Sequence, residues 1–140
     1  MNIDQYNFPD DLLYDREHSW ARVEGSVVTQ GLTDFGQSLA GEIVYVEVPR
    51  KGREVKQGEP FMSMESGKWV GRIKAVVSGK IVAANEELEW ESTQINHDPY
   101  GAGWLVKIEM SDPSELDKLM KPQDPAFAEF IAAERAKYGK

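Results

Sequence analysis

Two stretches, 38 residues apart, share one pattern: Ala40-Gly41-Glu42-Ile43-Val44 and Ser78-Gly79-Lys80-Ile81-Val82. In each, a glycine turn stands directly before the first residues of an apolar strand. Such an echo points to two quasi-symmetric antiparallel sheets packed face to face, with the turn at residues 66–68 between them. The rest of the chain has the same grain of short strands and tight turns. Residues 20–24 alternate as a half-buried strand does, and Glu24-Gly25-Ser26 turns into a second strand at 27–30. The clearest strand is 42–48, where alternation puts Val44, Val46 and Val48 on one face and Ile43, Tyr45 and Glu47 on the other. Extended segments follow at 61–65, 69–77, 80–84 and 104–110, the last after the turn Asp98-Pro99-Tyr100-Gly101.

Helical signals are fewer. Thr33 is an N-cap for a short helix over 34–40, with Phe35 and Leu39 one turn apart and Gly41 as its stop. Ser111 or Asp112 caps a second, with Pro113 near its first position and Leu116, Leu119 and Met120 on one side, until Pro122. Asp124-Pro125 repeats that start signal, and Phe127, Phe130, Ile131 and Tyr138 form an apolar stripe ending at Gly139. The chain thus reads as mainly β: one domain over residues 1–140, with a short internal helix and a helical C-terminal extension from about residue 112.

Composition removes several functions. Sixteen basic against 24 acidic side chains give a net charge of −8, which argues against general nucleic-acid or anionic-membrane binding. No cysteine is present, so disulfides, thiolate metal sites and a cysteine nucleophile are excluded. The two histidines, His18 and His97, are too few for a histidine-rich metal site. No pure apolar run exceeds four residues, as at 43–46, far short of the roughly 20 residues that span a bilayer. Met1-Asn2-Ile3-Asp4 has neither the basic region nor the apolar core of a secretory signal, so a cytoplasmic protein is expected. Glu86, Glu87, Glu89 and Glu91 read as a solvated run rather than an acid/base pair, and His18 reads as a packing or capping residue before a base. With no nucleophile elbow, phosphate-binding glycine loop or histidine pair, the chain reads as a non-enzyme.

Lys68 stands out by position. It lies at a hairpin tip between Glu65-Ser66-Gly67 and Trp69-Val70-Gly71. Taken alone, it is either a solvated turn lysine or an amine presented for modification.

Longer motifs bear on the choice. Residues 17–25 (Glu-His-Ser-Trp-Ala-Arg-Val-Glu-Gly), Gly31-Leu32-Thr33-Asp34-Phe35, Leu39-Ala40-Gly41-Glu42-Ile43-Val44, Val77-Ser78-Gly79-Lys80-Ile81-Val82 and Asn85-Glu86-Glu87-Leu88 stand in order along the chain. Residues 95–105, containing His97-Asp98-Pro99-Tyr100-Gly101, and Ser111-Asp112-Pro113-Ser114-Glu115-Leu116 complete the series. In these blocks, over about residues 12–121, the chain resembles the H protein of the glycine cleavage system and related lipoyl carrier proteins. The resemblance implies a lipoyl-type barrel sandwich with helical additions. It implies lipoic acid in amide linkage to Lys68, with Glu65 read by the lipoate-attaching enzyme. A carrier of this kind is not catalytic: its arm shuttles an intermediate between partner enzymes. Biotin carriers flank the equivalent lysine with methionines, which Gly67 and Trp69 are not.

The hairpin departs from the family pattern. Where the family has Glu-Ser-Val before the lysine and roughly Ala-Ala-Ser-Asp after it, this chain has Gly67 before and Trp69-Val70-Gly71-Arg72 after. Between Ser66 and Asn85 there are four basic residues, Lys68, Arg72, Lys74 and Lys80, and no acid. That variant resembles the lipoate-binding proteins of heterodisulfide-reductase-like sulfur oxidation. It implies a sulfur-bound cargo, a heterodisulfide-reductase-like complex as partner, and docking at Trp69, Arg72 and Lys74. The alternative is glycine cleavage itself, with an aminomethyl cargo and the P, T and L proteins as partners. No metal, nucleic acid or membrane is implied by either.

Overall fold

A computed structural model describes all residues 1–140. The strands in chain order are β1 (Asn2–Ile3), β2 (Tyr6–Asn7), β3 (Leu13–Tyr14), β4 (Ser19–Glu24), β5 (Val27–Leu32), β6 (Ile43–Glu47), β7 (Glu54–Val55), β8 (Pro60–Ser66), β9 (Val70–Lys74), β10 (Gly79–Ala84) and β11 (Val106–Met110). The helices are α1 (Asp34–Ala40), α2 (Gln94–His97) and α3 (Pro125–Tyr138), with 3₁₀ turns at Glu86–Glu89 and Pro113–Lys118. No helix is long and apolar enough to cross a membrane.

Two antiparallel sheets carry the fold: a six-stranded one in the order β3-β4-β5-β11-β10-β7 and a three-stranded one in the order β6-β8-β9. A main core joins them, with Val28, Ile81, Val106 and Ile108 from the larger sheet and Val46, Met62, Met64 and Ile73 from the smaller. This is the barrel sandwich expected from the sequence, but its sheets are unequal and the 66–68 turn joins β8 to β9 within the smaller sheet rather than lying between the two. The two echoed segments start β6 and β10, one in each sheet. The glycine before β6 and the glycine that opens β10 have positive φ, +87° at Gly41 and +156° at Gly79. At Gly79 a Cβ would also collide with the Glu109 carbonyl across the ladder, so only glycine fits.

Simple alternation fails in β6. The ladder to β8 pairs Ile43 with Ser66 and Tyr45 with Glu65, so Val44 is an extra, unpaired residue. This bulge turns Val44 and Tyr45 outward and leaves Ile43 and Val46 buried, in place of the expected Val44/Val46 face. Two further expectations change in detail. The segment after Asp112 is a 3₁₀ turn rather than an α-helix, though Asp112 caps it through Ser114 N–H as its type requires. Tyr138 leaves the apolar stripe of α3: Phe127 and Ile131 are buried, whereas Tyr138, in the last turn, is 48% exposed.

A second core, mostly aromatic, holds both chain ends. Tyr6, Phe8, Leu12, Tyr14, Trp20 and Phe35 pack with Phe127 and Ile131 of α3. Phe8 meets Phe127 edge-on at 5.0 Å between centroids. Trp20 lies across its ladder partner Gly31, whose missing side chain makes room for the indole.

Candidate site at the Lys68 hairpin

Strands β8 and β9 pair from Pro60 opposite Lys74 to Glu65 opposite Val70. Ser66 closes the hairpin by donating its N–H to the Trp69 carbonyl at 2.8 Å, leaving Gly67, Lys68 and Trp69 as the tip. The buried Ser66 hydroxyl fixes that tip to the body. It donates to the Ala40 carbonyl at 2.6 Å and accepts from Lys68 N–H at 3.2 Å. Ala40 is the last residue of α1, whose N-terminus is capped by Thr33 accepting from Gly36 N–H. The tip is therefore held against a helix end rather than left free.

Lys68 is exposed. Its methylene stem lies over Gly41, with Cε 2.7 Å from where a Cβ at residue 41 would stand. The Gly41 turn is itself tied down by Asn96, which accepts from Ile43 N–H at 2.9 Å and donates to the Gly41 carbonyl at 2.8 Å. Ser92 adds a bond from its hydroxyl to the Ile43 carbonyl at 2.7 Å. Ser66, Gly41 and Asn96 thus support the lysine. From the sequence, Gly41 reads as a helix stop and a turn into the next strand, and Asn96 only as part of a motif. Nothing local marks a residue whose partners lie 26, 27 or more than 50 positions away.

The remaining candidates fall on two sides of the hairpin. Glu65 is exposed on the outward face of the smaller sheet. Trp69 turns back over Gly71, occupying the space a side chain there would need, and packs on the main core. Arg72 and Lys74 follow on β9, and with Trp69 they border a cleft of about 230 Å³ along its free edge. His18, Leu39 and Tyr138 line the cleft from the opposite side. Lys74 is paired with Glu17 at 3.1 Å, and Arg72 has no ion-pair or hydrogen-bond partner. Lys80 does not join them: it lies on β10 in the other sheet, opposite Glu54 and Glu109. The four-residue basic run of the sequence is therefore divided between two surfaces.

Buried Gln30 fixes the position of β9 relative to the larger sheet. Its amide donates to the Lys74 carbonyl at 2.8 Å and accepts from Val76 N–H at 3.0 Å. His18 serves packing. It sits at φ +67°, stacks on Phe130 at 5.5 Å, and places Nε2 2.7 Å from Glu134 Oε1. Burial holds its pKa below the usual histidine value, with Glu134 pulling the other way. Glu86, Glu87, Glu89 and Glu91 are all exposed.

A model of the glycine cleavage H-protein family matches residues 12–131. The glycine cleavage system H protein of Symbiobacterium thermophilum is 48% identical over 114 residues, covering 81% of this chain and 89% of that protein. That of Halalkalibacterium halodurans is 44% identical over 128 residues, 91% of this chain and 98% of the relative. Among solved structures, a glycine cleavage system H protein from Mycobacterium marinum superposes with a TM-score of 0.77 at 28% identity, over 91% of this chain and 98% of that one.

Proposed function

Because this chain belongs to the glycine cleavage H-protein family, we propose that Lys68 is its lipoyl attachment residue and that the arm so formed serves the glycine cleavage enzymes. The family's proteins are non-catalytic carriers with lipoate on a lysine, and this chain is such a carrier. The observation that supports Lys68 is its setting: an exposed amine on a pinned hairpin tip, its stem over a glycine whose Cβ would crowd it. Those residues fit the group, since an amide forms only on an amine that another enzyme can reach. When bound, the lipoyl dithiolane supplies a two-electron thiol–disulfide couple, which a chain without cysteine cannot provide. The protein's own task is to fix the root of the arm, through Ser66 and Asn96, and to leave it open to partners.

The relatives' names favour glycine cleavage, with the P, T and L proteins as partners, over sulfur oxidation. One observation favours the second reading, a sulfur-bound cargo handed to a heterodisulfide-reductase-like complex. Arg72 stands where the family pattern has an acid, and no acid neutralises it. A cation there repels an aminomethyl ammonium and attracts an oxidised sulfur group. Reconstitution decides between them. Lipoylated protein with P, T and L proteins should release carbon dioxide from glycine. Failure there, with turnover alongside a heterodisulfide-reductase-like complex, selects the second reading.

A further inference from the structure

Helix α3 is held in two different ways along its length. Its first half is anchored by burial. Phe127 and Ile131 lie in the aromatic core, and Phe130 meets the His18 ring at 5.5 Å and the Arg16 guanidinium at 5.3 Å. Past Ile131 no residue of the helix is buried. Two polar contacts tie this second half to the body: Glu134 meets His18 Nε2 at 2.7 Å, and Arg135 pairs with Asp4. The family match also stops at residue 131, so it does not cover this half.

Such contacts hold more weakly than burial. The Asp4 side chain is more than half exposed, so solvent screens its pair with Arg135. Arg135 Nε is buried without an acceptor, and releasing the helix end restores its bond to water. Two turns of helix do not hold themselves in water, so residues 132–138 keep their form only while these contacts last. What they cover is specific. Tyr138 borders the cleft of about 230 Å³ opposite Trp69 and Arg72, and His18, the anchor of Glu134, borders the same cleft. Letting go of His18 and withdrawing Tyr138 therefore open one wall. The strand on the far side, β9, is an edge strand of the smaller sheet, and an uncovered strand edge invites pairing with other chains.

We propose that residues 132–140 form a releasable strap that closes the cleft along β9 and governs access to the Trp69–Lys74 edge. The occupant of this edge is thus a segment of the chain itself. Anything else that docks there must displace the strap or wait for it to open. Its apparent affinity is then scaled by the fraction of molecules in which the strap is open. The device acts on the surface beside the hairpin and stands whether or not Lys68 carries an arm.

The test uses the full chain with Glu134→Ala and Arg135→Ala combined. Alanine is the strongest helix former, so any loosening reports the lost contacts and not a weaker helix. Amide hydrogen exchange, read residue by residue, should speed up about tenfold or more at 135–138. At 129–131, in the buried half, it should stay within about twofold of the parent. 5-Fluorotryptophan at position 69, assigned by the signal lost in Trp69→Phe, reports on the cleft. Its fluorine resonance should move in the double variant in the direction that Tyr138→Ala moves it. No acceleration at 135–138, or equal acceleration at 129–131, overturns the proposal, because the second half is then not a separate unit. A Trp69 resonance untouched by Tyr138→Ala or by the double variant overturns it as well, because the strap then closes nothing.

Discussion

The indole of Trp69 occupies the space that a side chain at residue 71 would need, so the two positions are coupled: the tryptophan requires the glycine. Both residues belong to the stretch that departs from the family pattern after the lysine. The same relationship holds between Trp20 and Gly31 in the larger sheet.

Gly71→Val should therefore expel the Trp69 indole from its seat on the main core. Overpacking of this kind costs about 1–3 kcal/mol. Chemical denaturation should show the lower midpoint, and acrylamide should quench tryptophan emission more strongly than in the parent. Lipoylation should persist, because Ser66 still anchors the tip to Ala40.

Lys68→Arg keeps the positive charge and removes the acylatable amine. Its melting temperature should match the parent, since the exposed ammonium makes no ion pair. Intact mass should show no lipoyl adduct after exhaustive ligase treatment. An adduct on another lysine would reassign the site.

His18 gives a pH dependence whose sign is fixed. Burial lowers its folded-state pKa below the ordinary value of 6.5, so the unfolded chain takes up the proton first. The histidine's share of stability is complete above 6.5 and declines as pH falls from there towards the folded value. His18→Asn suits the left-handed backbone at this position and does not titrate. Denaturation midpoints between pH 7.5 and about 5 should fall more steeply for the parent than for this variant.

Arg72 and Lys74, two residues apart on one strand, should behave differently on charge reversal. Lys74 is already paired with Glu17, whereas Arg72 has no acid partner. Arg72→Glu should change the association rate with the arm's partner enzymes several-fold at low salt, an effect screened beyond about 8 Å at physiological ionic strength. Lys74→Glu should instead lower stability, by setting a second carboxylate beside Glu17. Stopped-flow binding at two salt concentrations, with thermal melts of both variants, checks the contrast.

Much of this was legible in the sequence because its signals are local. Thr33 caps α1, the glycines at 41 and 79 stand at the entries to the two echoed strands, and Asp124-Pro125 starts α3. The hairpin and Lys68 at its tip followed from turn residues and motif together. What escaped depends on distant partners. A bulge is a property of two strands, so Val44 could not be assigned its outward face from β6 alone. The aromatic core pairs residue 8 with residue 127, and Gln30 reaches across 44 positions to Lys74. Lys80 stands near Arg72 in the chain, yet the connection at residues 75–78 carries it into the other sheet.

The bond from Ser66 to Ala40 has a consequence for how a carried group searches space. A tether whose root is fixed sweeps a volume set by its own length, and so presents its end to a docked catalytic site at a defined effective concentration. Were the hairpin free to sway, the root's motion would add to the arm's and dilute the end over a larger volume. On the proposal that Lys68 carries the arm, Ser66 makes the root a pivot, and handing-over depends on the tether's dimensions and not on the breathing of the sheet beneath it.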